Sequence, residues 1–279
     1  MRCKQLPFVL TMRIKVNVMK KFRSIAALLS LIIFLCACSV PDGGSGELPH
    51  LKIGSDIYRP FSYINEEGIP DGADVAVARE ACAIMGYEPE FVYIDWDKKD
   101  SLLASGAVDC LWGCFSENGR NDDYLWTEPY MSSRQVVAVR CDSDIETLSD
   151  LDGLGVAVQL SSKPEEIFLD KASENIPDVK TVYSLLTMDE VVTAMKKGYT
   201  DACAGHEDAL RVELERSDTS YRFLDGCLMR SQIGVAFYKG GDGSLRDELD
   251  RALSQLKKSG SLSRILGKYD VRAEAEGEE

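Results

Sequence analysis

The chain has 279 residues, of which 45% are hydrophobic and 28% charged, enough to build one or two domains with buried cores. Seven of its 32 basic residues lie before Ser24 without one acidic residue, so removing residues 1–37 leaves 25 basic against 46 acidic residues, a net charge of −21. A surface this acidic repels phosphate backbones and argues against nucleic-acid binding. Two histidines are too few for a histidine-rich metal site, and we predict neither a metal ion nor a cofactor.

The N-terminus is predicted to be an export signal rather than part of the fold. A basic cluster at positions 20–23 precedes an apolar run over Ile25–Ala37. At ~1.5 Å per residue this run measures about 20 Å, too short for a ~30 Å hydrocarbon core. We therefore assign residues 1–37 to a signal peptide, and a translation start at Met19 would leave residues 1–18 outside the protein.

The apolar run ends in Leu35-Cys36-Ala37-Cys38-Ser39, which resembles a bacterial lipobox. A large aliphatic residue stands three positions before Cys38 and a small one directly before it, so Cys38 fits the cysteine that receives diacylglycerol. Residues 38–50 contain a Gly-Ser-rich stretch and predict a lipid-anchored, flexible linker. No later apolar stretch approaches the ~18 residues of a membrane span, so the lipid is the only predicted membrane contact.

Downstream of the linker, short apolar runs typical of strands alternate with the three-to-four spacing typical of helices. The spacing is clearest over Val75–Met85, where Gly86 is suited to end the helix. Strands separated by helices indicate parallel α/β sheets, whereas the acidic residues 271–279 predict a disordered tail. The predicted strands are Leu51–Gly54, Phe91–Ile94, Cys110–Gly113, Val156–Leu160, Val179–Val182, Asp201–Ala204 and Ile233–Phe237. The predicted helices are Asp74–Met85, Lys98–Ser105, one from about Pro164, Met188–Lys197, Glu207–Ser217 and Leu245–Ser259.

Six cysteines remain after the predicted processing and anchoring. Cys82, Cys110 and Cys203 lie in apolar elements and are predicted to be small core residues. A disulfide between Cys141 and Cys227 stays open, because connectivity cannot be deduced from the sequence.

Two segments of the chain repeat one pattern. Leu103–Gly113 and Met195–Gly205 both read as a helix end, a glycine, two residues, an aspartate, a short strand and a glycine. The repeat predicts two similarly wound lobes. Because ligands of such sheets bind beyond the carboxyl ends of the strands, we expect the loops after Gly113 and Gly205 to face a shared cleft.

Six motifs, in order over about 220 residues between Leu51 and Asp270, resemble those of a known family. They are Gly54–Tyr63 (G-T-D-x-x-Y-P-P-F-E-F in the family), Gly72–Val75 (G-F-D-V), Trp96–Asp109 (W-D-x-L-I-P-A-L-x-S-G-K-x-D), Gly113–Arg120 (G-M-T-x-T-P-E-R), Trp126–Tyr130 (F-S-D-P-Y) and Ser259–Ile265 (G-T-L-x-x-I). In these motifs the chain is similar to the bacterial extracellular solute-binding protein family 3, the polar amino-acid receptors of ABC importers.

The resemblance implies a two-lobed, type II periplasmic-binding-protein-like α/β fold, each lobe a mostly parallel sheet flanked by helices. Lobe 1 is expected to comprise residues 51–138 and 229–270, and lobe 2 residues 139–228, with chain crossings near Arg140 and Met229. The two crossing strands would form a hinge, and a ligand would be trapped between the lobes as they close.

The resemblance also implies what the protein does. It would be a monomeric, lipid-anchored protein on the outer face of the cytoplasmic membrane, and not an enzyme. It would capture a small polar solute, preferentially an amino acid, and deliver it to the permease of an ABC importer. Two rivals stay open: a sensory receptor without a transport role, and a dehydratase-type enzyme, for which His206, Glu207 and Asp208 would offer acid–base groups.

Two ligand-binding positions of the family carry over to the end of the third predicted strand and the loop after it. Arg120 matches the arginine that grips the ligand α-carboxylate, where a planar guanidinium donates two parallel bonds. Without the match it would be read as a solvated surface residue. Gly113 matches the position whose backbone carbonyl meets the ligand amine, and its alternative is a plain turn glycine.

Four further positions match the family's acidic and aromatic pocket wall. Asp56, Tyr58 and Phe61 correspond to the first loop, and Trp96 follows the second predicted strand. The aromatic residues would line the ligand, although they could instead pack in the core or cover a sheet.

Ser161, Ser162 and Lys163 stand where the family has G-T-T at a helix N-terminus suited to an anion. An ordinary N-cap serine is the alternative. Lys163 replaces a threonine and adds a cation, so we expect it to favour an acidic or doubly anionic ligand.

Two positions depart from the family pattern. Phe115 replaces a threonine that contacts the ligand, and His206 replaces the aspartate that pairs with the ligand α-amine. A desolvated ammonium needs a paired acceptor. Either Glu207 or Asp56 therefore supplies that charge, or the ligand is not an ordinary α-amino acid.

Overall fold

The computed structural model describes residues 47–171, 176–218 and 220–272. The predicted signal peptide, Cys38 with most of the linker, and residues 273–279 of the predicted tail lie outside the described residues. Among the helices within the described ranges, none is both long and apolar enough to cross a membrane.

Strands and helices alternate along most of the described chain, as the sequence predicts. The strands β1 to β13 are His50–Ser55, Tyr63–Ile64, Pro70–Asp71, Glu88–Tyr93, Cys110–Leu111, Tyr124–Trp126, Met131–Arg140, Gly155–Gln159, Thr181–Leu185, Ala202–His206, Tyr221–Phe223, Met229–Ile233 and Ala236–Tyr238. The helices α1 to α7 are Ala73–Met85, Lys99–Ala104, Lys163–Asp170, Met188–Lys196, Glu207–Arg216, Ser244–Lys258 and Ser261–Gly267. Two 3₁₀ turns cover Trp96–Lys98 and Leu148–Leu151.

The strands form two main sheets, each the centre of one lobe. The first has the order β4-β1-β5-β13-β6, and the second has the order β11-β7-β10-β8-β9 with β12 beside β7. β1 is parallel to β4 and β5, and β8 is parallel to β9 and β10. Helices α1, α2, α6 and α7 complete lobe 1, and α3, α4 and α5 pack on the second sheet as lobe 2. Both lobes thus have parallel strands at their core, as the predicted α/β fold requires.

The chain crosses between the lobes twice, through the antiparallel pair β7 and β12. The preceding β6 and the following β13 belong to the sheet of lobe 1. The first change of sheet therefore precedes Met131, whereas the expected boundary follows residue 138. The second follows Ile233, whereas the expected boundary precedes Met229.

The predicted strand Ile233–Phe237 is two strands in different sheets, β12 and β13. Gly234 and Val235 separate them, and a Cβ at Gly234 would lie 3.3 Å from the Trp126 ring. The two crossings are fastened side by side, because Thr127 Oγ1 accepts the N–H of Val235 at 3.0 Å and the Val235 carbonyl accepts the N–H of Thr127 at 3.0 Å. An apolar run alone does not reveal where such a strand changes partner.

Gly72 fixes the first loop against the start of α1. Its φ is +128°, and a Cβ would lie 2.3 Å from the Phe61 carbonyl oxygen. The next two N–H groups, those of Ala73 and Asp74, donate at 2.9 Å to the carbonyls of Pro60 and Phe61. A side chain at Gly72 would push the loop off the helix, so this glycine holds the loop that enters the cleft.

The predicted burial of three cysteines is confirmed, whereas the structure does not form the disulfide that the sequence left open. Cys82, Cys110 and Cys203 are buried core residues, as predicted. Cys141 is exposed, Cys227 is half-buried, and both are free thiols in the structure.

Candidate ligand-binding cleft

Loops from the carboxyl ends of the parallel strands meet at one cavity between the lobes, as the repeated pattern predicts. Its volume is about 40 Å³, which at ~10–15 Å³ per water leaves room for about three waters. A larger ligand must therefore part some of the contacts that now join the lobes. The lining residues are Asp56, Tyr58, Trp96, Gly113, Cys114, Phe115, Ser116 and Arg120 from lobe 1, and Gln159, Ser161, Ser162, Lys163, Pro164, Met188, Gly205 and His206 from lobe 2.

Phe61 is one of two predicted ligand-binding residues that do not line this cavity. It is fully buried and stacks behind Tyr58, with ring centroids 6.0 Å apart and an interplanar angle of 17°. Tyr58 itself faces the cavity and meets the His206 ring edge-on at 6.0 Å. The first loop therefore offers one aromatic wall residue, and Phe61 supports it from the core.

Glu207 is the other predicted residue outside the cavity. As the first residue of α5, it is held by two hydrogen bonds from Arg134, at 2.8 and 3.0 Å, and lines a separate surface pocket. Asp208 pairs with Arg211 at 2.6 Å beside the same pocket. Neither carboxylate meets the His206 ring, so the acid–base cluster considered from the sequence does not assemble. Nowhere in the described ranges do three His, Cys, Asp or Glu side chains gather as metal ligands would.

His206 is the last residue of β10, and its ring contacts two buried polar side chains, those of Ser133 and Gln135. Its Nδ1 lies 3.0 Å from Ser133 Oγ, and its Nε2 lies 2.9 Å from Gln135 Nε2. Burial, together with the positive charge of Arg120, lowers the pKa of His206 to about 3. The imidazole is therefore neutral, so it does not repel a ligand ammonium, but it cannot supply the negative charge that would balance one.

Asp56 follows β1 and is the one carboxylate among the cavity-lining residues. Its Oδ2 accepts a 2.8 Å hydrogen bond from Nε2 of Gln159, the last residue of β8, so this contact joins the two lobes. Burial raises the pKa of Asp56 from 3.8 to about 6, against the opposing effect of the Gln159 hydrogen bond. Asp56 is half-buried, and no cation contributes to this shift of its pKa. A ligand ammonium would supply the missing positive charge.

Arg120 is fixed at both its backbone and its guanidinium. Its carbonyl accepts a 2.9 Å hydrogen bond from Trp126 Nε1, and its guanidinium carbon lies 5.3 Å from the Phe115 ring centroid. Its Nη1 donates to the Ser116 carbonyl at 3.4 Å, and its Nη2 donates to Glu166 Oε2 at 3.1 Å. The guanidinium thus lines the cavity, but a carboxylate of lobe 2 already occupies one of its donors.

Phe115 is buried in an aromatic cluster instead of presenting a polar group to the cavity. Its ring centroid lies 5.0 Å from that of Trp96, 5.4 Å from that of Tyr124 and 4.9 Å from that of Trp126. Trp96 itself remains half-buried at the cavity wall. Because Phe115 stands where the family has a threonine, the surface of the cleft beneath Arg120 is apolar.

At the N-terminus of α3 in lobe 2, the polar groups are bonded mainly to residues of the same helix turn. Ser162 is the N-cap of α3, where its hydroxyl faces the N–H of Glu165, and the N–H of Ser161 donates to Glu165 Oε2 at 2.6 Å. The side chain of Lys163 is only 7% exposed and pairs with Glu166. All three residues line the cavity, and each already has a partner in the same helix turn.

Asp74 supports the loop from below. Its Oδ2 accepts the N–H of Cys114 at 2.7 Å, and its Oδ1 accepts the hydroxyl of Tyr130 at 2.7 Å. Tyr130 in turn accepts a 3.2 Å hydrogen bond from Trp112 Nε1. This buried network holds Cys114, whose φ is +50°, next to Gly113.

Replacing Asp74 should therefore destabilise the protein. Asp74→Ala leaves two buried donors without an acceptor, so we expect the free energy of unfolding to fall by about 1–3 kcal/mol. Burial raises the pKa of Asp74 from 3.8 to about 7. Its contribution is thus largest below about pH 4 and is lost as the pH rises to about 7, so the difference from wild type should narrow between about pH 4 and pH 7.

Urea unfolding at both pH values measures this effect. Asp170→Ala, which removes an exposed aspartate, is the matched control. Equal unfolding free energies for wild type and Asp74→Ala at low pH would show that the network does not stabilise the loop.

Several groups that line the cavity or contact its lining residues were not predicted from the sequence, although local signals for some of them exist. Gln159 is the last residue of β8, two residues before Ser161. Because ligands bind beyond the carboxyl ends of parallel strands, its position in the sequence already points to the cleft. Glu166 follows Lys163 by three positions, the spacing of neighbours on one helix face. Cys114 and Ser116 lie inside the motif that carries Arg120.

Comparison with known proteins agrees with this architecture. A family model, "Bacterial extracellular solute-binding proteins, family 3", matches residues 51–271. The arginine-binding extracellular protein ArtP of Bacillus subtilis (strain 168) is 26% identical over 251 residues, covering 88% of this chain and 95% of that protein.

Two solved structures share the fold. Tv2483 bound to L-arginine aligns with a TM-score of 0.74 at 23% identity, covering 80% of this chain and 92% of that one. A substrate-binding protein of an ABC uptake transporter from Streptococcus pneumoniae, with bound histidine, aligns with a TM-score of 0.72 at 23% identity, covering 79% and 92%. The fold is that of the type II periplasmic binding proteins. Because this family model matches most of the chain, the chain belongs to the bacterial extracellular solute-binding proteins, family 3.

Proposed function

We propose that this protein captures an amino acid between its lobes and delivers it to an ABC importer. The observation that carries the proposal is that a guanidinium, Arg120, and a carboxylate, Asp56, line the same cavity. An amino acid offers both complementary charges, and a guanidinium can grip its carboxylate through two parallel bonds. The arginine and histidine named for the relatives above support this solute class.

Asp56 is the proposed partner of the ligand ammonium. It lines the cavity and has a raised pKa, whereas Glu207 is held by Arg134 outside the cavity. His206, a neutral imidazole, cannot supply a negative charge. We further propose that the Gly113 carbonyl accepts a second hydrogen bond from the ammonium. A Cβ at Gly113 would lie 2.8 Å from Ser55 Oγ, so a side chain at this position would displace Ser55.

A thermal-shift screen of the mature protein over the standard amino acids, amines and dicarboxylates tests the proposal. A ligand at 100 times its dissociation constant adds about 2.7 kcal/mol of stability, which raises the melting temperature measurably. We expect at least one amino acid to raise it, and the corresponding amine without a carboxylate to fail. Shifts only from solutes that are not amino acids would overturn the proposal.

The proposed site of action is the outer face of the cytoplasmic membrane, with the lipid on Cys38. Mass spectrometry of membrane-extracted protein should then find a diacylated N-terminal peptide that begins at Cys38. Cys38→Ala should release the protein from the membrane fraction. An N-terminus elsewhere, or a Cys38→Ala variant that stays membrane-bound, would contradict the anchor.

The proposed partner is an importer permease, the proposed binding unit is a monomer, and no chemical step is involved. Deleting the gene should abolish high-affinity uptake of the amino acid found in the screen, and the bound amino acid should be recovered unchanged. Normal uptake in the deletion strain would favour the sensory role, and a converted product would favour an enzyme.

A further inference from the structure

Glu166 joins the two cations of the cleft. It lies on α3 of lobe 2, where its Oε1 pairs with Lys163 Nζ, while its Oε2 accepts the 3.1 Å hydrogen bond from Arg120 Nη2 of lobe 1. The side chains of Arg120 and Lys163 are 14% and 7% exposed, so both charges are largely shielded from water. Glu166, 33% exposed, is the carboxylate that these two buried cations share.

The charges of this cluster leave room for one further anion. Two cations and one carboxylate give a net single positive charge. A ligand carboxylate that takes Arg120 completes the balance, with Glu166 remaining on Lys163. A second ligand carboxylate would meet Glu166 instead of a free ammonium, and like charges brought together in a desolvated site repel strongly.

Glu165, the preceding residue, does not share this role. Its Oε2 accepts the backbone N–H of Ser161 at 2.6 Å, which is a contact within the loop that starts the helix. Both partners of Glu166, in contrast, are side chains that line the cavity. The close approach of Gly119, where a Cβ would lie 2.9 Å from Lys163 Nζ, keeps the lysine beside the Arg120 loop.

We propose that Glu166 determines the charge class of the ligand: it neutralises Lys163, so the cleft accepts amino acids with one carboxylate and rejects acidic ones. This inference rests on the proposed function, since it names the substrate class of the same cleft. It reverses the expectation from the sequence that Lys163 favours acidic or doubly anionic ligands, because the lysine charge is already paired.

The test compares two pairs of nearly equal shape, L-glutamine with L-glutamate and L-asparagine with L-aspartate, by calorimetry and thermal shift. In wild type the amide of each pair should bind more tightly. In Glu166→Gln the affinity for the acid relative to the amide should rise roughly 10- to 100-fold, the range of one charge-assisted hydrogen bond to the freed lysine. Asp170→Asn removes an exposed carboxylate of the same helix and should leave the ratio unchanged.

A double variant, Lys163→Met with Glu166→Gln, keeps the test independent of any general effect of the first change. It should lose the gain for the acids, because no free ammonium remains. An unchanged acid-to-amide ratio in Glu166→Gln, or a gain that persists in the double variant, would overturn the inference while leaving amino-acid binding intact. Absence of binding by every standard amino acid to wild type would instead overturn the proposed function, and this inference with it.

Discussion

Arg120→Ala should weaken binding of the best amino acid by roughly 30- to 5,000-fold. A desolvated guanidinium–carboxylate clamp costs about 2–5 kcal/mol to truncate, because the ligand charge is left buried and unpaired. A surface ion pair would cost only about 0–1 kcal/mol. The Arg120 side chain is 14% exposed, and its guanidinium lies over Phe115, which favours the larger value.

Calorimetry on folded variants separates these two cases. Arg120→Lys should rescue only part of the affinity, since an ammonium cannot reproduce the planar fork. Arg264→Ala, at an exposed position on α7, is the matched control and should bind like wild type. Binding of Arg120→Ala within threefold of wild type would place the carboxylate site elsewhere.

Asp56→Asn should weaken the same ligand at least about 30-fold at neutral pH, since the ammonium would be buried without a counter-charge. The side chain keeps its shape, and an amide oxygen can still accept the hydrogen bond from Gln159. Because the pKa of Asp56 is raised to about 6, wild-type affinity should fall as the pH falls through about 6. The affinity of Asp56→Asn should change much less over that range.

Asp56→Asn should weaken ligand binding but should not destabilise the ligand-free protein. An acid whose pKa is about 6 in the folded protein and 3.8 as its ordinary value contributes stability at low pH that is lost as the pH rises through about 6. Without added ligand, Asp56→Asn should therefore melt at or above the wild-type temperature at neutral pH. Asp225→Asn, an exposed position, controls for net charge. A variant that loses both binding and melting temperature would make Asp56 a structural residue.

Most strands with continuous apolar runs, and the helices with regular spacing, were predictable from the sequence, whereas β6 and β7 were not. The helix before Gly86 follows its spacing, and Gly86 ends it in the left-handed conformation. The ten-residue β7 escaped prediction because its buried positions include Ser133 and Gln135. The Ser133 hydroxyl and Gln135 Nε2 have a buried partner in His206, 71 or more positions away in the chain, whereas Gln135 Oε1 is buried without a hydrogen-bond partner among the described residues.

The cleft was predictable as a place but only partly as a set of contacts. Strand-end geometry and motif spacing brought Arg120 and Asp56 to one cavity. The sequence did not predict that the Glu207 side chain lies outside the cavity. Its position depends on Arg134 of β7, a strand that was not predicted. The pairing of Glu166 with Arg120 was equally hidden, since it forms only when the lobes meet.

The most direct test of the account is a crystal structure of the complex with the amino acid that gives the largest thermal shift. The ligand carboxylate should lie within about 3 Å of the Arg120 guanidinium nitrogens, with the ammonium against Asp56 and Glu166 retained by Lys163 alone. A complex in which the carboxylate lies elsewhere, and Arg120 still pairs with Glu166, would contradict it.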